Sequence, residues 1–242
     1  MISRFANPHR FMALSRWLLP AFALLGFVML ITGWAWALLY VPEERYQGAS
    51  ARIMFVHVPA AWVSLMGYAT MAIGSFLYLI LRHTLADVAA KSAAPAAAAF
   101  SFICLATGSL WGRPTWGTYW IWDARLTSML FQLFLILGYM ALRSAYTRES
   151  DAARAGSILC LVGAINLPII KFSVDWWNTL HQPASFIRIG GSSLAPEFLW
   201  PLLFNAIGSS FVFGALLLAA MRADVLKRQY EAALARLNRS PS

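Results

Sequence analysis

Two of the four histidines stand in matching surroundings. His57 opens HVPAAW and His181 opens HQPASF, so both read His-x-Pro-Ala-small-aromatic. A proline two residues on pushes the intervening residue toward extended backbone and suits the first turn of a helix, so each imidazole is predicted to stand just before a helix start. Two neutral imidazoles could hold a haem iron axially, one from each side of the macrocycle. Either one alone is also what an ordinary polar interface residue looks like. A structural zinc site wants four Cys/His ligands and a catalytic one usually three, so zinc would need carboxylate help from Asp123, Asp175 or Glu197. His9 and His83 lack the motif and read as interfacial residues.

Between the two motifs lies Trp111 to Thr127, WGRPTWGTYWIWDARLT, with four of the eleven tryptophans (Trp111, Trp116, Trp120, Trp122), Tyr119, and only Arg113, Asp123 and Arg125 charged. One reading is an interfacial belt, with the rings at headgroup level; another is an aromatic-rich loop. The sharper one is a platform for a large, flat, apolar ligand with a few anionic groups, whose edge Arg and Asp would fix. For a haem, indoles would cover the ring, and Arg45, Arg52, Arg125 or Arg188 could pair with the propionates. Asp123 and Arg125 would equally serve as a helix cap or salt bridge at the start of the next helix.

These residues need elements to hold them, and the composition says which kind. Of 242 residues 60% are apolar and 12% charged, with mean hydropathy +0.62, outside soluble globular usage. Apolar stretches at 17-41, 54-82, 94-111, 127-146, 155-172 and 198-221 each come near or above the roughly 18 to 20 residues a spanning helix needs. The first is too long for a cleavable signal core and reads as a retained helix. The fold class is therefore all-α: a polytopic membrane protein with six transmembrane helices. Its organisation is a transmembrane domain, 1-221, and a C-terminal tail, 222-242. Pro95 reads as the start of the third helix, and the inner loops as connectors.

Charge sets the orientation. With the N-terminus in the cytoplasm, thirteen of the nineteen Lys and Arg fall on the inner side and six on the outer, so the positive-inside rule places both termini in the cytoplasm and the aromatic-rich loops outside. The tryptophan stretch then faces out. So does the long connection from Lys171 to Pro196, with Trp176, Trp177, His181 and Arg188, and a loop of that length is usually functional. The net charge of +9 is scattered over helix ends, which fits anionic lipid headgroups and no nucleic acid.

Several chemistries are excluded. Cys104 and Cys160 form no CxxC or CxxCH and read as packing residues. No GxxxxGK[ST], GxSxG or HExxH occurs, so ATP-driven work would need a partner and no hydrolytic set is recognisable. A two-haem membrane cytochrome would need four histidines facing each other within helices. A small-molecule permease or an assembly scaffold without haem stays open as an alternative, and a permease's broken-helix feature would be Asn166-Leu167-Pro168.

The motif WGxPxWGxxWxWDxRLT, with HVPAAW and HQPASF in flanking loops and six spans in about 240 residues, resembles the tryptophan-rich WWD signature of haem-handling proteins of cytochrome c maturation, and closely the heme exporter protein C (CcmC) family of bacterial system I. The resemblance implies a protein of the bacterial inner membrane that is not itself an enzyme. It implies that haem b is held at the periplasmic face and passed to the haem chaperone CcmE. It implies His57 and His181 as axial ligands of the haem iron, with Trp111, Trp116, Trp120, Trp122, Asp123 and Arg125 binding haem and docking the chaperone. Arg45, Arg52, Arg188, Trp176 and Trp177 are the candidate rim contacts. The implied partners are CcmD and the ATP-hydrolysing CcmA and CcmB, which would make this chain one part of an ABC transporter complex.

Overall fold

The computed structural model describes residues 7–177, 179–181, 192 and 194–237. The described chain is helical: α1 (Pro8–Leu39), α2 (Met54–Leu81), α3 (Thr84–Trp116), α4 (Ala124–Ser144), α5 (Glu149–Gly163), α6 (Asn166–Trp176) and α7 (Pro196–Leu237), with a short 3-10 turn, Ala49–Ile53, leading into α2. Among the described residues no strand forms; Glu44 and Gly48 make one isolated bridge. Six helices or joined helix pairs are long and apolar enough to cross a membrane, α5 and α6 together supplying one of them. The protein is a multi-pass membrane protein. Large apolar side chains such as Phe27, Phe76, Phe102 and Phe134 point outward, as a surface solvated by lipid requires.

Each predicted span coincides with a helix or, for the fifth, with the pair α5 and α6, but several boundaries differ. The third helix begins at Thr84, not near Pro95. The segment 85–99 is dominated by alanine, the strongest helix former, and His83 caps it by accepting the Ala86 N–H at 3.2 Å, so Pro95 sits inside α3. The same helix runs on to Trp116 and stops at Gly117, whose φ of +82° suits glycine at a helix end. Trp111 and Trp116 therefore ride on a helix and not in a loop. The fifth span breaks at Ala164–Ile165. Pro168 has no N–H for the Ala164 carbonyl, which is taken instead by Leu167 N–H at 3.1 Å, and Asn166 Nδ2 donates to the Ser128 carbonyl at 2.9 Å. At the other end, α7 continues through position 222 to Leu237 without interruption.

The antiparallel pair α2 and α3 forms the centre, with α7, α4 and α5 around it and α1 along α7. Small residues allow the close approach that drives helix association in lipid; a Cβ on Gly74 would sit 2.6 Å from the Ala86 carbonyl oxygen. The central core is Val63, Tyr68, Met71, Ala93, Ala97, Ile136, Tyr139, Cys160 and Phe213. Far from both candidate histidines, buried Arg143 grips Asp87 with two nitrogens at 2.5 and 3.1 Å and reaches Tyr139 and Glu149. Lys91, Asp224 and Arg228 extend that network, so it ties α3, α4, α5 and α7 at one end of the bundle.

Candidate functional site

The opposite end gathers the start of α2, the last turns of α3, the start of α4 and the end of α6. His57 does not precede a helix. It is the fourth residue of α2, because 49–53 already winds as a helical turn, pinned by Ser50 Oγ on the Gln47 carbonyl and by Glu44, which accepts the N–H groups of Tyr46 and Gln47. His181 lies after α6, and the rest of its motif, 182–186, with the expected helix start, falls outside the described residues.

Each imidazole is held in the same way by different groups. His57 Nδ1 lies 3.0 Å from the Cys104 carbonyl and 3.2 Å from Thr107 Oγ1. A carbonyl can only accept, so Nδ1 carries the proton and Nε2 keeps its lone pair. The ring meets Trp111 edge-on at 5.7 Å, and Trp111 is itself fixed by donating Nε1–H to Gln47 Oε1 at 2.8 Å. His181 Nδ1 lies 2.8 Å from Asp123 Oδ2, and its ring meets Trp116 at 4.7 Å, again edge-on. Thr179 Oγ1 donates to the same carboxylate oxygen and accepts the His181 backbone N–H at 3.1 Å.

Asp123 does two jobs. Its Oδ1 caps α4 by accepting the Leu126 N–H at 2.8 Å, while Oδ2 orients His181. Burial pushes its carboxyl up, but the bonds from Thr179, Leu126 and His181 together hold it below the usual carboxylate range, so it is ionised and accepts the Nδ1–H. Burial also pushes His181 below the ordinary histidine value, more than Asp123 can restore. The imidazole is neutral, with Nε2 again the free nitrogen.

The other predicted residues separate by role. Arg125 donates to the carbonyls of Ile170 and Lys171 at 3.3 and 3.2 Å and to Ser173 Oγ, so it clamps α4 to α6. Arg52 Nη2 donates to the Val41 carbonyl, while its Nε is buried without a partner among the described residues. Arg45 lies exposed over Tyr46. Trp120 and Trp122 form an edge-on pair at 5.4 Å; Trp122 is 77% exposed, and the Trp120 indole N–H is buried and unpartnered among the described residues. Trp176 and Trp177 stand half-exposed at the end of α6, Trp176 stacked on Phe172. Arg188 lies outside the described residues.

The tryptophans are thus not one flat floor. Trp111 and Trp116 brace histidines, Trp120 is part-buried, and Trp122 faces outward. The matching sequence model is that of heme exporter protein C, and it covers residues 1–236. The chain belongs to the heme exporter protein C family. It is 57% identical to heme exporter protein C of Bradyrhizobium diazoefficiens over 93% of this chain and 85% of that protein. The Escherichia coli protein of that name is 42% identical over 93% of this chain and 91% of its own length, and that of Paracoccus denitrificans 40% over 99% of each. Heme exporter protein C is a transport and maturation component that takes part in haem handling for cytochrome c biogenesis.

Residues outside the sequence motifs complete the candidate site: Gln47, Cys104 through its carbonyl, Thr107, Gly108 and Thr179. A signal for some of them was present. Cys104, Thr107, Gly108 and Trp111 are spaced i, i+3, i+4, i+7, one face of a helix inside the predicted span 94-111.

Proposed function

We propose that the protein holds haem b at the periplasmic face of the bacterial inner membrane, with His57 and His181 as axial ligands, and delivers it to the haem chaperone CcmE. The observation that carries this reading is the pair of oriented imidazoles, each with Nδ1 committed to an acceptor and Nε2 free. That is the arrangement metal-binding histidines adopt, the partner of the distal nitrogen fixing tautomer and ring angle. The membrane family of haem exporters supplies the class of cargo.

Other atoms fit the same cargo. The Trp120 indole N–H and Arg52 Nε are buried donors without acceptors, and a buried donor left unpaired costs about 1–3 kcal/mol; carboxylates at a haem edge would satisfy them. Trp111 and Trp116 keep the imidazoles in place, while exposed Trp122 with Trp176 and Trp177 offers the chaperone an aromatic surface. CcmD and the ATP-hydrolysing CcmA and CcmB are the partners in this scheme, since the chain carries no phosphate loop. Handover needs one imidazole to release the iron while the chaperone engages the exposed edge.

The test is the visible spectrum of the purified protein. The wild-type protein is expected to carry six-coordinate haem, and His57→Ala and His181→Ala each to lose that signature and load less haem while inserting normally. Unchanged spectra in both variants would remove the two residues from the ligand set.

A further inference from the structure

We propose that Gly108 is a positioning residue for the haem site: by leaving one patch of α3 bare, it fixes where His57 Nε2 points. The inference rests on the reading of His57 as a haem ligand and adds what holds it. The imidazole lies on a strip of α3 made by Cys104, Thr107, Gly108 and Trp111. Two of these residues take its Nδ1–H, Trp111 walls it, and Gly108 is the floor. A Cβ added at Gly108 would lie 2.9 Å from His57 Cε1 and 3.4 Å from Nδ1, whereas carbon atoms rest at about 3.5–4.0 Å.

The ring cannot retreat with its backbone. Its neighbours in α2 are buried, Met54 and Phe55 with Ala37, Val41, Leu202 and Trp111, and Ala60 with Cys104, Met129 and Ile170, so the imidazole must rotate about its own torsions. Rotation breaks the bond to the Cys104 carbonyl at 3.0 Å and swings Nε2 away. Glycine in a helix gives up roughly 0.5–1 kcal/mol relative to alanine. Gly108→Ala therefore has opposite expected effects on the helix and on the ligand, and that opposition separates positioning from structure.

Gly138 supplies the control. It is also helical, and a Cβ there meets nothing within 4 Å. Gly108→Ala, Gly138→Ala and His57→Ala are made in the full chain, purified in detergent, and compared by visible and electron paramagnetic resonance spectra, haem content and thermal unfolding of the haem-free form. Gly108→Ala is expected to insert normally and unfold no lower than wild type. Its haem affinity should fall about 10- to 100-fold, the range for changes beside a metal ligand. It should lose the bis-histidine signature, and added imidazole should restore six-coordination as in His57→Ala. Gly138→Ala should match wild type throughout.

A wild-type spectrum and affinity in Gly108→Ala, beside an altered His57→Ala, would overturn the positioning role and leave the ligand assignment intact. An unaltered His57→Ala would overturn the ligand assignment itself. If Gly108→Ala fails to insert, the double variant with His57→Gly, which removes the ring the methyl would strike, decides: recovered insertion supports the clash, and continued failure overturns it.

Discussion

A histidine that is to bind iron must hold its proton on one nitrogen and offer the lone pair on the other. The two sides of this site meet that need with unlike groups: a backbone carbonyl for His57 and the Asp123 carboxylate for His181. Only the second can titrate. His181 has its affinity for protons lowered by burial in the folded protein, so an unfolded chain protonates it first, near the ordinary value of 6.5. Its contribution to stability is full above that pH and declines as pH falls toward the lowered value. Asp123, also held low, contributes fully above its ordinary 3.8 and loses that contribution as pH falls through its depressed value. Thermal unfolding of the haem-free protein should thus weaken in two stages on acidification from about pH 8 to about pH 4 and below. His181→Ala should reduce the first stage and leave most of the second, and an unchanged first stage would show that another group drives it. Asp123→Asn should keep the α4 cap, since Asn is as good an N-cap, whereas Asp123→Ala should cost about 1 kcal/mol more.

At the scale of elements, two arginines tie helices together at opposite ends, and their loss should read differently. Arg143→Ala leaves Asp87, 3% exposed, with only the more distant Arg228 at 3.8 Å, and breaking such a buried pair costs up to about 3–5 kcal/mol. The protein that does fold should keep its haem spectrum, because the break is far from both histidines. Arg125→Ala frees the end of α6 from α4 and should weaken haem retention with a smaller loss of stability. Comparing unfolding and haem content of the two variants checks this, and equal haem loss in both would refute the separation. The six spans were legible because lipid demands long apolar helices, and long runs survive errors at their ends. The ends were not legible where a local rule competed: Pro95 resembles a helix start, but an alanine-rich segment on either side outweighs it. His57 was legible as a ligand candidate from its motif, yet its seat was not, since the Cys104 carbonyl leaves no mark in a side-chain sequence. The same holds for Thr107 and Gly108, which carry no motif of their own and join the site only through the helix face they share with Trp111.

Across the whole molecule, the candidate site and the Asp87–Arg143 network occupy opposite ends, and in the proposed orientation the site is on the outer side. Reporter fusions at Tyr119 and Ser150 should give opposite signals, outside and cytoplasmic respectively; the reverse pattern would put the site in the cytoplasm and end the periplasmic scheme. One element joins the two ends without a break. From Pro201 to Leu237 α7 runs 37 residues, about 55 Å at 1.5 Å per residue against a hydrocarbon layer of about 30 Å. Leu202 at its upper end packs with Met54 and Phe55, within one turn of His57, while Asp224 and Arg228 join the network at the other end. The packing beside His57 and the charge network at the other end thus rest on one continuous helix.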